Sequence, residues 1–484
     1  MSTAITYVTH ACIRIDGEFG SLLTDPWILN EPVYNFSTWK FPAAVLPPRA
    51  LTDVDTIFIS HAHEDHFHIP SLHEFPRGVR IVLAEYTWKP GLRAQTMERT
   101  LREMGFHNIR KLLPWQSIEL GGARLTLIPS SPGKPQDWEN SAFVFEHGDL
   151  RLLNMNDCPG DAETFREIDR RFGAFDAAFL QYAGVSMFPG CYRMSEAEMR
   201  AAVTQRRHGF IQQRLLIENL RVRRLFPFAG DFAWLHDRMV HCNWTNRSTP
   251  ALFTDFVRDT YPERGLDVVV MYPSDVWTLE GGLVRNHPEI DWSRYLDAIG
   301  DLKARFQPKV DRIEAWIEDY DARHLERRSR AYTAHIARWI TQDGIDFNGR
   351  LRICVEGQNS NFSFDLVAEA AAGFRIAWDE AGAAPDQTLF VREAVWASIL
   401  DGRFVWNMIQ WQSENLQHVP FRPELGRFWF WLESHIDLNN RVPQVLIDRV
   451  QHPTVETPVR PTLGTFPLVD EWTRPQAREE RRRA

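Results

Sequence analysis

The chain has 484 residues, enough for two domains or for one large domain with an appendage. Its 44% hydrophobic and 25% charged residues are the composition of a soluble globular protein, and its net charge of −9 argues against a general nucleic-acid binder, which carries a basic stripe. The one basic cluster, Arg478, Arg481, Arg482 and Arg483, is interrupted by acidic residues and reads as a solvated tail. The opening residues, MSTAITYVTHACIRI, lack a basic stretch leading into an apolar one, and no run of about 18 apolar residues occurs, so neither a signal peptide nor a membrane span is expected. Cys12, Cys158, Cys191, Cys242 and Cys354 are scattered and without zinc-finger spacing, which points to reduced thiols and a cytoplasmic location.

Short apolar runs alternate with helical patterns through the first half, the mark of a layered α/β fold. ITYVTHACIRID alternates like one strand, and GSLLTD is a second strand ending at Asp25. DTIFIS, 55–60, is a buried strand that runs directly into a histidine cluster. A helix over IPSLHEF and a strand over VRIVLAE follow. ARLTLIPS, SAFVFEHG and DLRLLNMND read as three strands, the last two joined by a turn near His147 and Gly148. Residues 195–221 read as helical, and RRLFPFAG as a strand. Near 310–345 the chain turns to long charged helical segments, so the boundary is placed at about 305: a metal-binding catalytic domain over 1–305 and a helical and α+β domain over 306–484. Strands over RLRICVEG and FRIAWDE and a helix over 389–400 are expected in the second. The aromatic stretch RFWFWLESHIDL reads equally as a dimer surface or a core helix.

The segment IFISHAHEDHFH places His61, His63, Asp65 and His66 within six positions, immediately after a buried strand. A sharp loop there turns all four toward one point, with His61 and His63 on one side and Asp65 and His66 serving a second, adjacent ion. Imidazole and carboxylate donors suit zinc, iron or manganese.

This spacing resembles the signature of the metallo-β-lactamase superfamily. The resemblance implies an αββα sandwich for the first domain. THACIRI with His10 looks like the family's opening strand, and LLTDPW like its strand ending in a structural Asp, so His10 and Asp25 are expected to line the pocket behind the ligands. NMNDC puts Asp157 where the family carries a carboxylate bridging two metals. One departure stands out. Where the family's hydrolases carry a further histidine after the strand LTLIPS, this chain has Ser130 and Ser131, and the nearest ligand-type residues are Asp137 and Glu139. Near the last ligand position the candidates are Asp231 and His236. Exchanging histidine for carboxylate favours harder, higher-valent ions, as in carboxylate-rich di-iron sites.

From about 150 to 245, LLNMNDC, YAGVSMFPG, IQQRLLIENLRVRRL and FPFAGDFAWLH resemble, in order, the metallo-β-lactamase-like part of CMP-N-acetylneuraminate hydroxylases, which use iron and O2. In that resemblance His236 falls on a family histidine, and it is preferred to Asp231. Those hydroxylases also carry a Rieske domain with paired Cys-x-His ligands, and no Cys-x-His occurs in this sequence. Electrons are therefore expected from a separate reductase or ferredoxin. That situation is similar to the di-iron monooxygenases of this fold in natural-product and antibiotic biosynthesis, the platensimycin and platencin type among them. In the second domain, RICVEGQNSNFSFDLVAEA through TLFVREAVWASILDGR looks like a sterol-carrier-protein-like α+β module, whose apolar tunnel would suit a terpenoid or acyl substrate.

The leading expectation is a cytoplasmic, non-haem di-iron monooxygenase that hydroxylates a C–H bond of a small apolar intermediate, free or linked to CoA or a carrier. His61, His63 and Glu139 would hold one iron, Asp65, His66 and His236 the other, with Asp157 between them and Trp138 and Trp234 beside the pocket. The competing readings are a dinuclear hydrolase (lactonase, phosphodiesterase or thioesterase), in which a metal-bound hydroxide attacks an ester-like bond, and a lipid- or acyl-binding protein with a decayed site.

Overall fold

The computed structural model describes residues 2–432 with interruptions: 86–91, 131–139, 184–185, 206–209, 231, 246–247, 341–344, 346 and scattered positions after 370. Two large sheets dominate. The first has eight strands in the order Gly282–Val284, Val276–Thr278, Ala4–Thr9, Cys12–Gly17, Gly20–Thr24, Thr56–Phe58, Arg80–Ala84 and Ile109–Leu112. It is antiparallel up to Gly20–Thr24 and parallel from there on. The second has seven, in the order Asp267–Val268, Val222–Phe228, Phe175–Gln181, Leu150–Asn156, Ser141–His147, Ala123–Pro129 and Ser117–Leu120.

Strand period decides how the layers stack, because successive side chains point to opposite faces. In Ser141–His147, Phe143 and Phe145 enter the core shared with the first sheet, where Phe143 packs on Phe58 at 4.7 Å between ring centroids. Ala142 and Val144 face the other way. They meet Phe165 and Ile168 of the helix Ala162–Phe172, Leu216 and Ile217 of Ile211–Asn219, and Phe253 of Pro250–Thr260. On the outer side of the first sheet, Leu72 and Leu101 cover the strands. The result is the expected αββα sandwich, a metallo-β-lactamase fold.

Two local readings are corrected. ITYVTHACIRID is two antiparallel strands, with Ile5 opposite Ile15, that turn at His10 and Ala11. The apolar alternation runs unbroken through the turn, which contains no glycine; His10 itself takes the left-handed backbone, at φ +47°. The helix expected over 389–400 starts only at Glu393, because Gln387–Arg392 pairs in parallel with Gly349–Glu356. Residue 305, where the composition changes, lies inside the continuous helix Tyr295–Glu318.

Beyond that helix, Gly373–Trp378, Asn361–Glu369, Gly349–Glu356 and Gln387–Arg392 form a four-stranded sheet in that order. It packs with Tyr295–Glu318, Leu325–Ile340 and Glu393–Leu400 around a second core rich in aromatics, including Phe364, Trp396, Trp406 and Phe428. Trp39, Phe41, Ala233 and Leu235 enter the same core, so it grips segments flanking the site. Phe428 and Leu432 of the aromatic stretch are buried in it; residues 433–438 lie outside the described residues. Among the described residues no helix is long and apolar enough to cross a membrane.

Phe143 is fully buried directly behind the strand that feeds the histidine loop. Phe143→Ala should therefore destabilise the protein by about 3–5 kcal/mol, the usual cost of deleting a buried aromatic ring. Urea unfolding followed by circular dichroism checks this; a midpoint at the wild-type value would mean that the two sheets do not share this core.

Candidate metal centre

Strand ends build the site. Thr56–Phe58 delivers Ser60, His61, His63, Asp65 and His66; Gly20–Thr24 delivers Asp25; Leu150–Asn156 delivers Asp157; the first hairpin delivers His10. Three of these strands end on non-glycine residues in the left-handed region: His10, Asp25 at φ +37° and Asn156 at φ +38°. Such residues cost roughly 1–3 kcal/mol each and persist only where their surroundings hold them. Here hydrogen bonds do the holding. Asp25 accepts from the Ser60 amide at 2.8 Å and the Ser60 hydroxyl at 2.9 Å. The Asn156 side chain donates to the Ser141 carbonyl at 2.9 Å and accepts from the Asp157 amide at 2.7 Å.

His10, His61, Asp65 and His66 are almost fully buried, and His63 and Asp157 are partly so. Two groups of ligand atoms converge, each within 4.8 Å: His10, Asp65 and His66, and His61, His66 and Asp157. His63 stands beside the second group, its Nδ1 2.8 Å from His61 Nε2. His66 is oriented from behind, with Nδ1 3.0 Å from Asp25 Oδ2. Its Nε2 faces Asp65 Oδ2 at 3.5 Å and Asp157 Oδ2 at 3.4 Å. Those separations are long for hydrogen bonds. They are close to the roughly 3.4 Å that separates two donors bound tetrahedrally at about 2.1 Å from one ion.

Whether a metal suits this cluster is decided by its unsatisfied atoms. Among the described residues, His66 Nε2, His10 Nδ1 and Asp157 Oδ1 are buried without a hydrogen-bond partner, a costly state unless something else binds them. Electrostatics agrees. Burial pushes the His66 imidazole down, yet Asp65, Asp157 and Asp25 outweigh it and hold its pKa well above the ordinary histidine value. Burial likewise pushes Asp65 up, and His66, His10 and His63 hold it well below the usual carboxylate range. The cluster thus demands positive charge, supplied by a proton or by a cation that displaces it. The donor set fits metal ions.

The sequence singled out His10, Asp25, His61, His63, Asp65, His66 and Asp157, and the structure brings them together. His10 sits behind Asp65, its Nε2 2.9 Å from Oδ2. His236 lies apart from the converging ligand atoms: its Nδ1 is 2.7 Å from Glu314 Oε1 and its Nε2 2.8 Å from the Phe36 carbonyl, so both ring nitrogens face protein acceptors. Asp137, Trp138, Glu139 and Asp231 lie outside the described residues. Trp234 is buried in a cluster with Trp27, Tyr34 and Phe232.

Sequence reasoning missed three participants. Ser60 ties Asp25 to His61 Nδ1, 2.9 Å from its hydroxyl, and its place between the buried strand and the first histidine was a usable signal. The Tyr34 hydroxyl donates to Asp65 Oδ1, and the Tyr34 amide donates to Glu64 Oε2 at 2.6 Å. Burial lifts Glu64 to about 7. Tyr34 and Glu64 carry no local pattern that marks them.

Residues 22–209 match the family described as the beta-lactamase superfamily domain. A protein of Mycolicibacterium smegmatis named as a Rieske 2Fe-2S iron-sulfur protein is 27% identical over 364 residues, 73% of this chain and 65% of that one. The cytidine monophosphate-N-acetylneuraminic acid hydroxylase of Gorilla gorilla gorilla is 23% identical over 299 residues, 59% of this chain and 46% of that one. The chain thus spans about half to two thirds of the length of these relatives. Among solved structures, CmlA, a diiron beta-hydroxylase from Streptomyces venezuelae, matches with a TM-score of 0.38 and 16% identity, covering 57% of this chain and 54% of that one.

Asp25→Asn keeps the side-chain shape but removes the charge that orients His66. Loss of such an outer partner typically weakens metal binding 10- to 100-fold. Zn²⁺ titration against a competing chelator should show that loss; wild-type affinity would mean that Asp25 does not orient a ligand.

Proposed function

Taking a metallo-β-lactamase fold with a buried His/Asp centre as the premise, we propose that this protein is a non-haem di-iron monooxygenase that hydroxylates a C–H bond of a small apolar biosynthetic intermediate. The observation that carries the metal reading is the convergence of His61, His66, Asp65 and Asp157 around buried, partnerless ligand atoms. The oxygenase reading is supported by the similarity to a hydroxylase over 59% of the chain and by the carboxylates Asp137 and Glu139 where hydrolases of the fold carry histidine.

In this reading His61, His63 and Glu139 would hold one ion and Asp65 and His66 the other, with Asp157 available to both. Two irons bound there would supply the reductive activation of O2 that such a hydroxylation needs, with one oxygen atom going to product and the other to water, and two electrons and two protons drawn from a separate reductase or ferredoxin. The chain's own residues do the rest. Asp25 and Ser60 fix the tautomer and tilt of the His66 and His61 rings. Tyr34 and His10 hold the two oxygens of Asp65. Trp27 and Phe232, packed on the His10 ring at 5.5 Å and 4.9 Å, keep water from that side. The sheet beyond residue 349 is the proposed sterol-carrier-like module that would receive an apolar or carrier-linked substrate.

A dinuclear hydrolase is the second reading, because the same fold and the same histidines also support hydroxide generation on zinc. Oxygen uptake separates the two. Iron-loaded, chemically reduced protein should consume O2, and Glu139→Ala should lower iron content and abolish that uptake. Lactone or phosphodiester turnover by zinc-loaded protein, with no O2 uptake by the iron form, would overturn the oxygenase reading; unchanged uptake in Glu139→Ala would remove that residue from the centre.

A further inference from the structure

The loop that carries Tyr34 to Asp65 is held in an unusual shape. Tyr34, Asn35 and Phe36 have φ values of +55°, +56° and +62°, all left-handed, and none is glycine. L-residues visit that region singly, not in runs, so three in succession must be imposed by their surroundings. Part of the constraint is local. Val33 and Thr38 bridge each other, with amide-to-carbonyl distances of 2.8 and 3.1 Å, and the Ser37 hydroxyl donates to the Tyr34 carbonyl at 2.7 Å.

The rest comes from far along the chain. The Phe36 carbonyl lies 2.8 Å from His236 Nε2. The other nitrogen of that ring lies 2.7 Å from Glu314 Oε1, on the helix Tyr295–Glu318, and Arg238 pairs with the second oxygen of Glu314. The Phe36 ring packs on Trp316 of the same helix at 5.8 Å and on Phe404 at 6.3 Å. Helix, histidine and loop therefore form one contiguous path that ends on the hydroxyl of Tyr34 against Asp65.

We propose that His236, braced by Glu314, is a positioning residue: by holding the Phe36 carbonyl it keeps the left-handed loop in place and, through Tyr34, sets the orientation of the Asp65 carboxylate in the metal centre. A ring with both nitrogens committed to protein acceptors cannot also serve an ion, which accounts for its absence from the converging ligand atoms. Glu314 suits the bracing role. Burial pushes its carboxyl up, but His236, Arg238 and Arg392 hold it down at about 2, so it stays an ionised acceptor. A segment beyond residue 295 thereby governs a centre assembled from the first 160 residues. The inference rests on the cluster binding metal, and not on the oxygenase chemistry.

The test is Co²⁺ titration of the metal-free full-length chain, followed by visible absorption. Tyr34→Phe, His236→Gln and Glu314→Gln should each weaken Co²⁺ binding about tenfold and alter the ligand-field bands. The double variant Tyr34→Phe/His236→Gln should bind no more weakly than Tyr34→Phe alone, because both changes break one path. Additive losses would overturn the proposal. So would His236→Gln and Glu314→Gln proteins that keep wild-type affinity and spectrum while only their thermal midpoints fall. If His236→Gln does not fold, Glu314→Gln, which leaves the ring in place, completes the same cycle with Tyr34→Phe. Wild-type protein that takes up no Co²⁺ would instead overturn the metal reading itself.

Discussion

Three carboxylates, Asp25, Asp65 and Asp157, are gathered around the buried ring of His66 at the ends of separate strands, and nothing among the described residues satisfies every atom of that group. Burying charge is tolerated only where it is paired or bound to an ion. In the absence of metal the pairing falls to protons, which is why His66 is held well above and Asp65 well below their ordinary values. Much of the surrounding architecture serves this one demand. The sheets bring strand ends together, the left-handed residues turn side chains inward, and Ser60 and Asp25 lock the imidazoles.

The two halves of the chain meet around this centre. The αββα sandwich provides the ligands, while the core built on the four-stranded sheet takes in Trp39, Phe41, Ala233 and Leu235 from either side of the site. From the helix Tyr295–Glu318, Trp316 packs on Phe36 of the loop 33–38 and Glu314 meets His236, which holds the Phe36 carbonyl. That is the physical content of calling the protein one working unit despite its change in composition near residue 305.

The legible part of the site was the part encoded locally. His61, His63, Asp65 and His66 lie within six positions after a buried strand, so spacing alone revealed them, whereas Asp25 and Asp157 were marked by the resemblance of LLTDPW and NMNDC to family strands. The layered fold was legible for the same reason, through strands whose period-2 pattern survives burial on both faces. What escaped was non-local or silent. The turn at His10 interrupts no hydrophobic alternation and uses no glycine. Tyr34 meets Asp65 across 31 positions, and Glu314 meets His236 across 78. His236 sits in a motif-like stretch that suggested a ligand, while its contacts to Glu314 and the Phe36 carbonyl are not visible in the sequence. The first turn of the helix at 389–400 was misread because an apolar run of that length fits either period.

Fold leaves oxygenase and hydrolase open, since both chemistries use histidine and carboxylate ligands on this scaffold; the identity of the bound metals is what separates them. The most direct measurement is the metal content of protein purified without oxygen, together with its Mössbauer spectrum after oxidation. The account predicts about two irons per chain with the signature of a coupled diferric pair, as carboxylate-rich di-iron centres require. Two zinc ions and no capacity to take up iron would contradict it.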